Sequence, residues 1–306
     1  MKAAKRQRGV ALLSALLVVA LATVLVAGIL DDGERGLART RNLVRSEQAD
    51  ALAAGLEEWA LQVLLQDLAS DGRRDYRDDA WSTGIPPTDV PGGKVAGHLT
   101  DLGGRFNLNN LARNGVRVPL EAERFARLLR ALKLDPAIAE ATVDYLDADI
   151  DRALDGAEDQ HYLLQDPPRR AANRAMAHAS ELRLVRGVTR DVWTKLAPYV
   201  VAVPAGTSIN VNTAAAPVLM ALAEGLSEPD ARRMAESARY EQVGGFAAEL
   251  EQLGVVFAAT TGVDVASDYF LARAEVVLDG IPIAYSSVIE RRDGRLRVVE
   301  RARGAL

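Results

Sequence analysis

Val10 to Leu30 is a run of 21 positions without one charged side chain, broken in its apolar character only by Ser14, Thr23 and Gly28. An α-helix rises 1.5 Å per residue, so this run spans about 32 Å, enough to cross the hydrocarbon core of a bilayer. Lys2, Lys5, Arg6 and Arg8 precede it, and Asp31 and Asp32 follow it at once. Positive charge before and negative charge after predict a single-pass anchor with the N-terminus in the cytoplasm and the bulk of the chain across the membrane. The apolar core of a cleaved secretory signal spans only about 7–15 residues, so a retained anchor is the better reading. The helical spacing then continues through Leu37, Val44, Leu52, Leu56, Trp59, Val63 and Leu64, and the first proline is Pro86. The spacing predicts one helix of nearly sixty residues, half in lipid and half in a soluble domain.

The chain as a whole, 306 residues with 49% hydrophobic and 26% charged, has the composition of ordinary globular material. The absence of cysteine excludes disulfides, thiolate zinc sites and cysteine nucleophiles. A net charge of -5 gives the whole chain no electrostatic footprint for nucleic acid. Residues 70–93, rich in Gly, Pro and charge, read as a loop, and Val95 to Leu108 as short strands about a Gly103-Gly104 turn. From Leu120 to about Leu253 the pattern is helical, with candidates near 120–133, 136–147, 170–185, 190–197, 214–224, 228–239 and 246–253. The end of the chain alternates with period two over 269–278, 281–291 and 295–303, separated by Asp279-Gly280 and Asp293-Gly294. Two Asp-Gly turns between such runs predict a three-stranded antiparallel meander. Its apolar face needs a cover, and the soluble half of the long helix is the natural one. The fold class is therefore α+β and pilin-like: a long N-terminal helix on an antiparallel sheet, with a large inserted all-helical domain.

The leader ending in Gly9, followed by an apolar helix that runs into a globular domain, resembles type IV prepilins and type II secretion pseudopilins. DLGGRFNLNNL (101–111), VDYLDAD (143–149), DGAEDQHYL (155–163), SINVNTA (208–214) and YFLARAEV (269–276) are similar to the K-class minor pseudopilins over nearly the whole chain. The resemblance implies cleavage between Gly9 and Val10 by a prepilin peptidase and methylation of Val10. It also implies residence in the bacterial inner membrane with a periplasmic domain, and assembly with minor pseudopilins of the I and J classes. It divides the chain into a leader (1–9), a membrane and assembly helix (10–30), the first part of the pseudopilin domain (31–118), the helical insert (119–255) and the closing strands (256–306). The family usually carries Glu at the fifth mature position, where it pairs with the N-terminal amine of a neighbouring subunit; here that position is Ser14, as in the K class. A subunit with none above it has no such partner, so the resemblance implies a place at the pseudopilus tip, initiating or capping assembly.

One segment carries site chemistry. DYLDADIDRALDGAED (144–159) holds six Asp and one Glu against Arg152 as its only cation. Asp147, Asp149, Asp151, Asp155 and Glu158 follow the rhythm of an EF-hand loop, but Arg152 stands where that loop needs Gly. The density of hard oxygen ligands suits calcium, and a solvated acidic loop is the alternative. The resemblance to the K class favours calcium, with Asp144, Asp147, Asp149, Asp151, Glu158 and Asp159 as candidate ligands; Asp144 is also placed to orient the loop, and His161 reads as a surface residue.

Residues 180–200 and 210–236 resemble helix-hairpin-helix modules, which suggests a membrane-anchored DNA receptor as the competing class. Glu224, Glu228 and Asp230 surround the second hairpin and would repel phosphate. A minor pilin of a type IV pilus shares the leader but leaves the acidic cluster without a role. His98, His161 and His178 have no motif partner and no nucleophile or phosphate-loop pattern occurs, so no enzymatic activity is expected.

Overall fold

The computed structural model describes residues 7–71, 73–257 and 259–304; leader residues 1–6 lie outside these. Helix α1 runs unbroken from Gln7 to Asp71, 65 residues or about 98 Å. Its apolar first part, from Val10, is long enough to cross a membrane and is not buried against the rest of the chain. Leu37 and Val44 also remain exposed, although they share the helical spacing of the core positions. The sheet reaches α1 only from about Arg45 onward, where that guanidinium meets Asp279 at 2.7 Å. Beyond it Ala49, Leu56, Ala60 and Leu64, four or seven residues apart, turn one stripe of α1 into the core.

The sheet has five antiparallel strands, β1 (Ile85–Val90), β2 (Gly93–Asp101), β3 (Tyr269–Leu278), β4 (Ile281–Arg292) and β5 (Arg295–Arg303), in that spatial order; β3 to β5 are the expected meander and β2 overlaps the strand expected from Val95. β1 lies in the segment expected to be loop. Pro86 and Pro87 cannot donate to a ladder and are tolerated here because β1 is an edge strand whose pairing is irregular between Ile85 and Thr88. Both Asp-Gly turns form as expected, with Asp279, Gly280, Asp293 and Gly294 all at φ between 50° and 78°; positive φ at both central residues is what a tight hairpin requires.

Alternation along β3 gives the sheet two apolar faces. Phe270, Ala272, Ala274 and Val276 pack under α1, whereas Tyr269 and Leu271 face the other way, onto Leu102, Val201 and Val203. At Gly97 in β2 an added Cβ would lie 3.1 Å from the Leu56 side chain, so a glycine lets α1 approach the sheet closely.

The helical unit is inserted between β2 and β3. It holds α2 (Pro119–Ala131), α3 (Ala137–Leu146), α4 (Asp159–Tyr162), α5 (Arg190–Leu196), α6 (Ala216–Leu222), α7 (Glu228–Ser237) and α8 (Val243–Gln252). Its core draws on residues from Phe106 to Val265. Residues 170–185 do not form the expected helix; a short 3-10 turn at Ala179–Leu184 is the regular structure there. The cause is tertiary: buried Asn109 donates to the carbonyls of Met176 and Val203, both at 3.0 Å, and accepts from Met176 N at 2.8 Å. Those bonds use the Met176 backbone groups that a helix would need.

A buried ionic knot joins the two parts. Arg291 on β4 is 4% exposed and reaches Asp67 at the end of α1 (2.9 Å), Asp75 in the loop that follows, and the Ser267 carbonyl (3.1 Å). Asn210 of the helical unit donates to the Asp75 carbonyl (3.1 Å) and to Ser267 Oγ (2.9 Å). The guanidinium also lies 4.7 Å above the Phe270 ring.

Candidate metal centre

Helix α3 ends at Leu146, and Asp147 leaves it in an extended conformation. One turn earlier, Asp144 is 2% exposed and its carboxylate turns inward to accept from Ala153 N at 3.1 Å. Gly156 packs directly on that carboxylate, for a Cβ built there would lie 1.9 Å from Asp144 Oδ2. Asp144 therefore shapes the loop, and a glycine is required opposite it. The strand-like segment before α2 holds the other side, with Ala148 N donating to the Gly115 carbonyl at 2.9 Å. Asn173 Nδ2 donates to the Asp149 carbonyl at 3.1 Å. The loop returns to order at Glu158, the residue that precedes α4.

These constraints bring three of the candidate ligands together. Asp147, Asp149 and Glu158 each offer a carboxylate oxygen, and the three atoms lie within 4.8 Å of one another. Asp147 is 6% and Glu158 3% exposed, while Asp149 faces solvent. Both carboxylate oxygens of Glu158 and one of Asp147 are buried with no hydrogen-bond partner. Buried acceptors in proteins are nearly always paired, so three orphaned carboxylate oxygens in one loop require an explanation. Burial raises the Asp147 carboxyl to about 6, and the charges of Asp149 and Asp144 add to it. Burial lifts Glu158 to about 7, with Asp144 and Asp147 next in effect. Asp144 is raised chiefly by burial. Mutual repulsion in a partly dry loop disfavours the ionised forms, and a cation among them reverses that preference.

The other candidates lie apart from this group. The Asp159 carboxylate accepts from Ala171 N at 2.9 Å and faces Arg170 at 3.6 Å. Asp151 is exposed and its backbone N–H donates to Asp149 Oδ1 at 2.9 Å. His161 contacts Gln165 and the Tyr162 ring. The spacing of acids pointed to this loop, but nothing in the spacing distinguished Glu158, whose oxygens are orphaned, from Asp159, whose oxygens are engaged.

At the other end of the molecule, Gly9 and Val10 lie within α1. Ser14 Oγ donates back to the Val10 carbonyl at 2.9 Å and approaches that of Ala11 at 3.1 Å. The hydroxyl is satisfied inside its own helix and needs no partner from outside. The two helix-hairpin-helix-like segments are packing units: Leu182, Val185, Leu196, Leu219, Leu222 and Leu226 all point into the helical core.

The protein-family model described as "Type II secretion system (T2SS), protein K" matches residues 104–205, and a second model of the same description matches 209–265. Among curated proteins, the chain is similar to "Type II secretion system protein K" of Pseudomonas aeruginosa, 34% identical, with 97% of this chain and 93% of that one covered. The protein of the same description from Klebsiella pneumoniae is 31% identical, with 98% and 97% covered. Among solved structures, a chain of the GspK-GspI-GspJ complex from the enterotoxigenic Escherichia coli type 2 secretion system superposes with a TM-score of 0.76 at 28% identity. That match covers 88% of this chain and all of the other.

Proposed function

The chain belongs to the type II secretion system protein K family and is a minor pseudopilin of that system, and from this premise we propose that it stands at the tip of the periplasmic pseudopilus and carries calcium in the 147–158 loop. In this reading the prepilin peptidase cuts between Gly9 and Val10, and Val10 to Leu30 remains in the inner membrane with its N-terminus on the cytoplasmic side. The rest of the chain is periplasmic and acts by assembly, without chemistry of its own.

The observation that carries the tip assignment is Ser14. An acid within an apolar helix bundle is costly unless a positive group meets it, such as the terminal amine of the next subunit. A hydroxyl bonded to its own helix carries no such requirement, so this subunit needs nothing stacked above it. The helical unit adds bulk to the far side of the sheet from α1. The I- and J-class minor pseudopilins are the proposed partners, a reading supported by the company in which the similar solved chain was crystallised. Leu37 and Val44 extend the exposed apolar surface of the membrane helix past Leu30 and give partner helices a surface to pack on. A photo-crosslinker introduced at position 14 tests this: adducts to I- or J-class subunits are expected, and abundant adducts to a further copy of this chain would contradict it.

For the metal, the supporting observation is the orphaned Glu158 carboxylate. Asp147, Asp149 and Glu158 would hold the ion, and Asp144 would keep the loop in shape. Calcium accepts six to eight oxygens in an adaptable shell, which suits three carboxylates completed by backbone carbonyls or water. Its charge would keep these carboxylates ionised and fasten the loop between α3 and α4.

A further inference from the structure

A groove of about 610 Å³ lies where the helical unit meets the outer face of the sheet. Its floor is the face turned away from α1, with Leu271 on β3 and Val288 on β4. Its opposite wall is formed by residues 175–183, Trp193 and the 200–204 segment. The walls are held in place before anything binds. Asn109, 3% exposed, bonds both Met176 and Val203, one on each wall segment. Glu181 accepts from Ala177 N at 2.6 Å and His178 N at 3.3 Å, which locks the turn at the rim.

The groove's charge is one-sided. Arg105, Arg183 and Arg273 line it, and Glu300 is its one acidic lining residue. None of the three guanidiniums makes a side-chain hydrogen bond or ion pair among the described residues, whereas Arg45, Arg73, Arg117, Arg297 and Arg301 are ion-paired. The carboxylate nearest in effect to Arg105 is Asp101, but Asp101 is already engaged by Gly103 N (2.7 Å), Gly104 N (3.0 Å) and the Thr213 hydroxyl. Arg105 and Arg273 also act on each other as like charges. Three unpaired cations beside a preformed apolar trough are an unusual surface to leave facing water.

We propose that this groove receives an extended segment of a partner protein in which carboxylates alternate with apolar side chains. The apolar side chains would lie on Val288, Val299 and Trp193, and the carboxylates would meet Arg105, Arg183 and Arg273. Guanidinium and carboxylate pair through two parallel hydrogen bonds, and such pairs fix register as well as charge. Because the walls are already set by Asn109 and Glu181, binding orders the incoming segment and little of the groove.

The test uses the full chain in nanodiscs, with empty nanodiscs as blank, and fluorescence anisotropy of a labelled decapeptide of alternating Leu and Asp. Saturable binding is expected, weakened at least about tenfold in the Arg183→Glu, Arg273→Glu double variant and strengthened several-fold by Glu300→Lys. Arg130→Glu, on an exposed position of α2 outside the groove, leaves it unchanged. Binding persists in EDTA, which separates it from the fate of the calcium loop. The proposal is overturned by absence of saturable binding, by equal binding of a Leu and Lys decapeptide, by equal competition from octanoate, or by a double variant that folds and binds like the wild type.

Discussion

Replacing Glu158 by Gln separates a metal loop from a merely acidic one, because the two readings predict different signs. Its carboxylate lies within 4.8 Å of those of Asp147 and Asp149. At an effective dielectric constant of about 20, two unit charges at that distance repel by roughly 3.5 kcal/mol. Without an ion, Glu158 titrates near 7 in the fold against an ordinary value of 4.5, so holding it ionised at neutral pH costs at most about 3 kcal/mol. Glu158→Gln removes that cost and leaves two carboxylates in place of three. The chelated variant should therefore melt above the chelated wild type. In calcium the order reverses: an ion at about 100 times its dissociation constant stabilises the wild type by about 2.7 kcal/mol, or roughly 5–11 °C in a domain of this size. The variant, lacking one hard ligand, should gain little. Differential scanning fluorimetry of the full chain in detergent micelles at pH 7.5, in EDTA and in calcium, reads both effects. A wild type indifferent to calcium, or a variant that keeps the whole calcium shift, would refute the reasoning.

Gly156→Ala should cost about 1–3 kcal/mol in thermal melts with or without calcium, because the new methyl collides with Asp144; a neutral effect would mean that the loop does not pack as described. Arg291→Met should cost about 3–5 kcal/mol by leaving Asp75 buried without its cation, and adding Asp75→Asn should restore part of it; a melting temperature unchanged by Arg291→Met would contradict this. In EDTA, stability should fall as pH rises from 5 to 8. Asp147 and Glu158 titrate near 6 and 7 in the fold, above their ordinary values, so between pH 4 and 7 the folded state binds more protons than the unfolded state. Urea titrations at both pH values in EDTA check the sign, and higher stability at pH 8 would be inconsistent with it.

Elements whose cause is local were legible in the sequence. The Val10–Leu30 run and its helical continuation specify α1, and Asp279-Gly280 and Asp293-Gly294 specify the hairpins because few other residue pairs accept those backbone angles. Elements decided by distant residues were not. β1 was hidden behind Pro86 and Pro87, which discourage a strand unless it lies at an edge. Residues 170–185 have helical spacing, but Asn109, far earlier in the chain, takes the Met176 backbone out of any helix. The knot of Asp67, Asp75 and Arg291 joins positions more than two hundred residues apart, and no local pattern marks it. Within the acidic loop the density of carboxylates was visible, whereas the turn of Asp159 toward Arg170 and Ala171, away from the others, depends on a segment eleven residues downstream.

The central claim is that this chain is a tip subunit that assembles with other minor pseudopilins, and it is tested most directly by co-purification. The full chain, tagged and expressed with the I- and J-class minor pseudopilins of the same system, is extracted in detergent and resolved by size-exclusion chromatography with mass measurement by light scattering. One complex containing a single copy of each of the three proteins is the predicted result. A peak of this chain alone, beside an I and J pair that forms without it, would contradict the account.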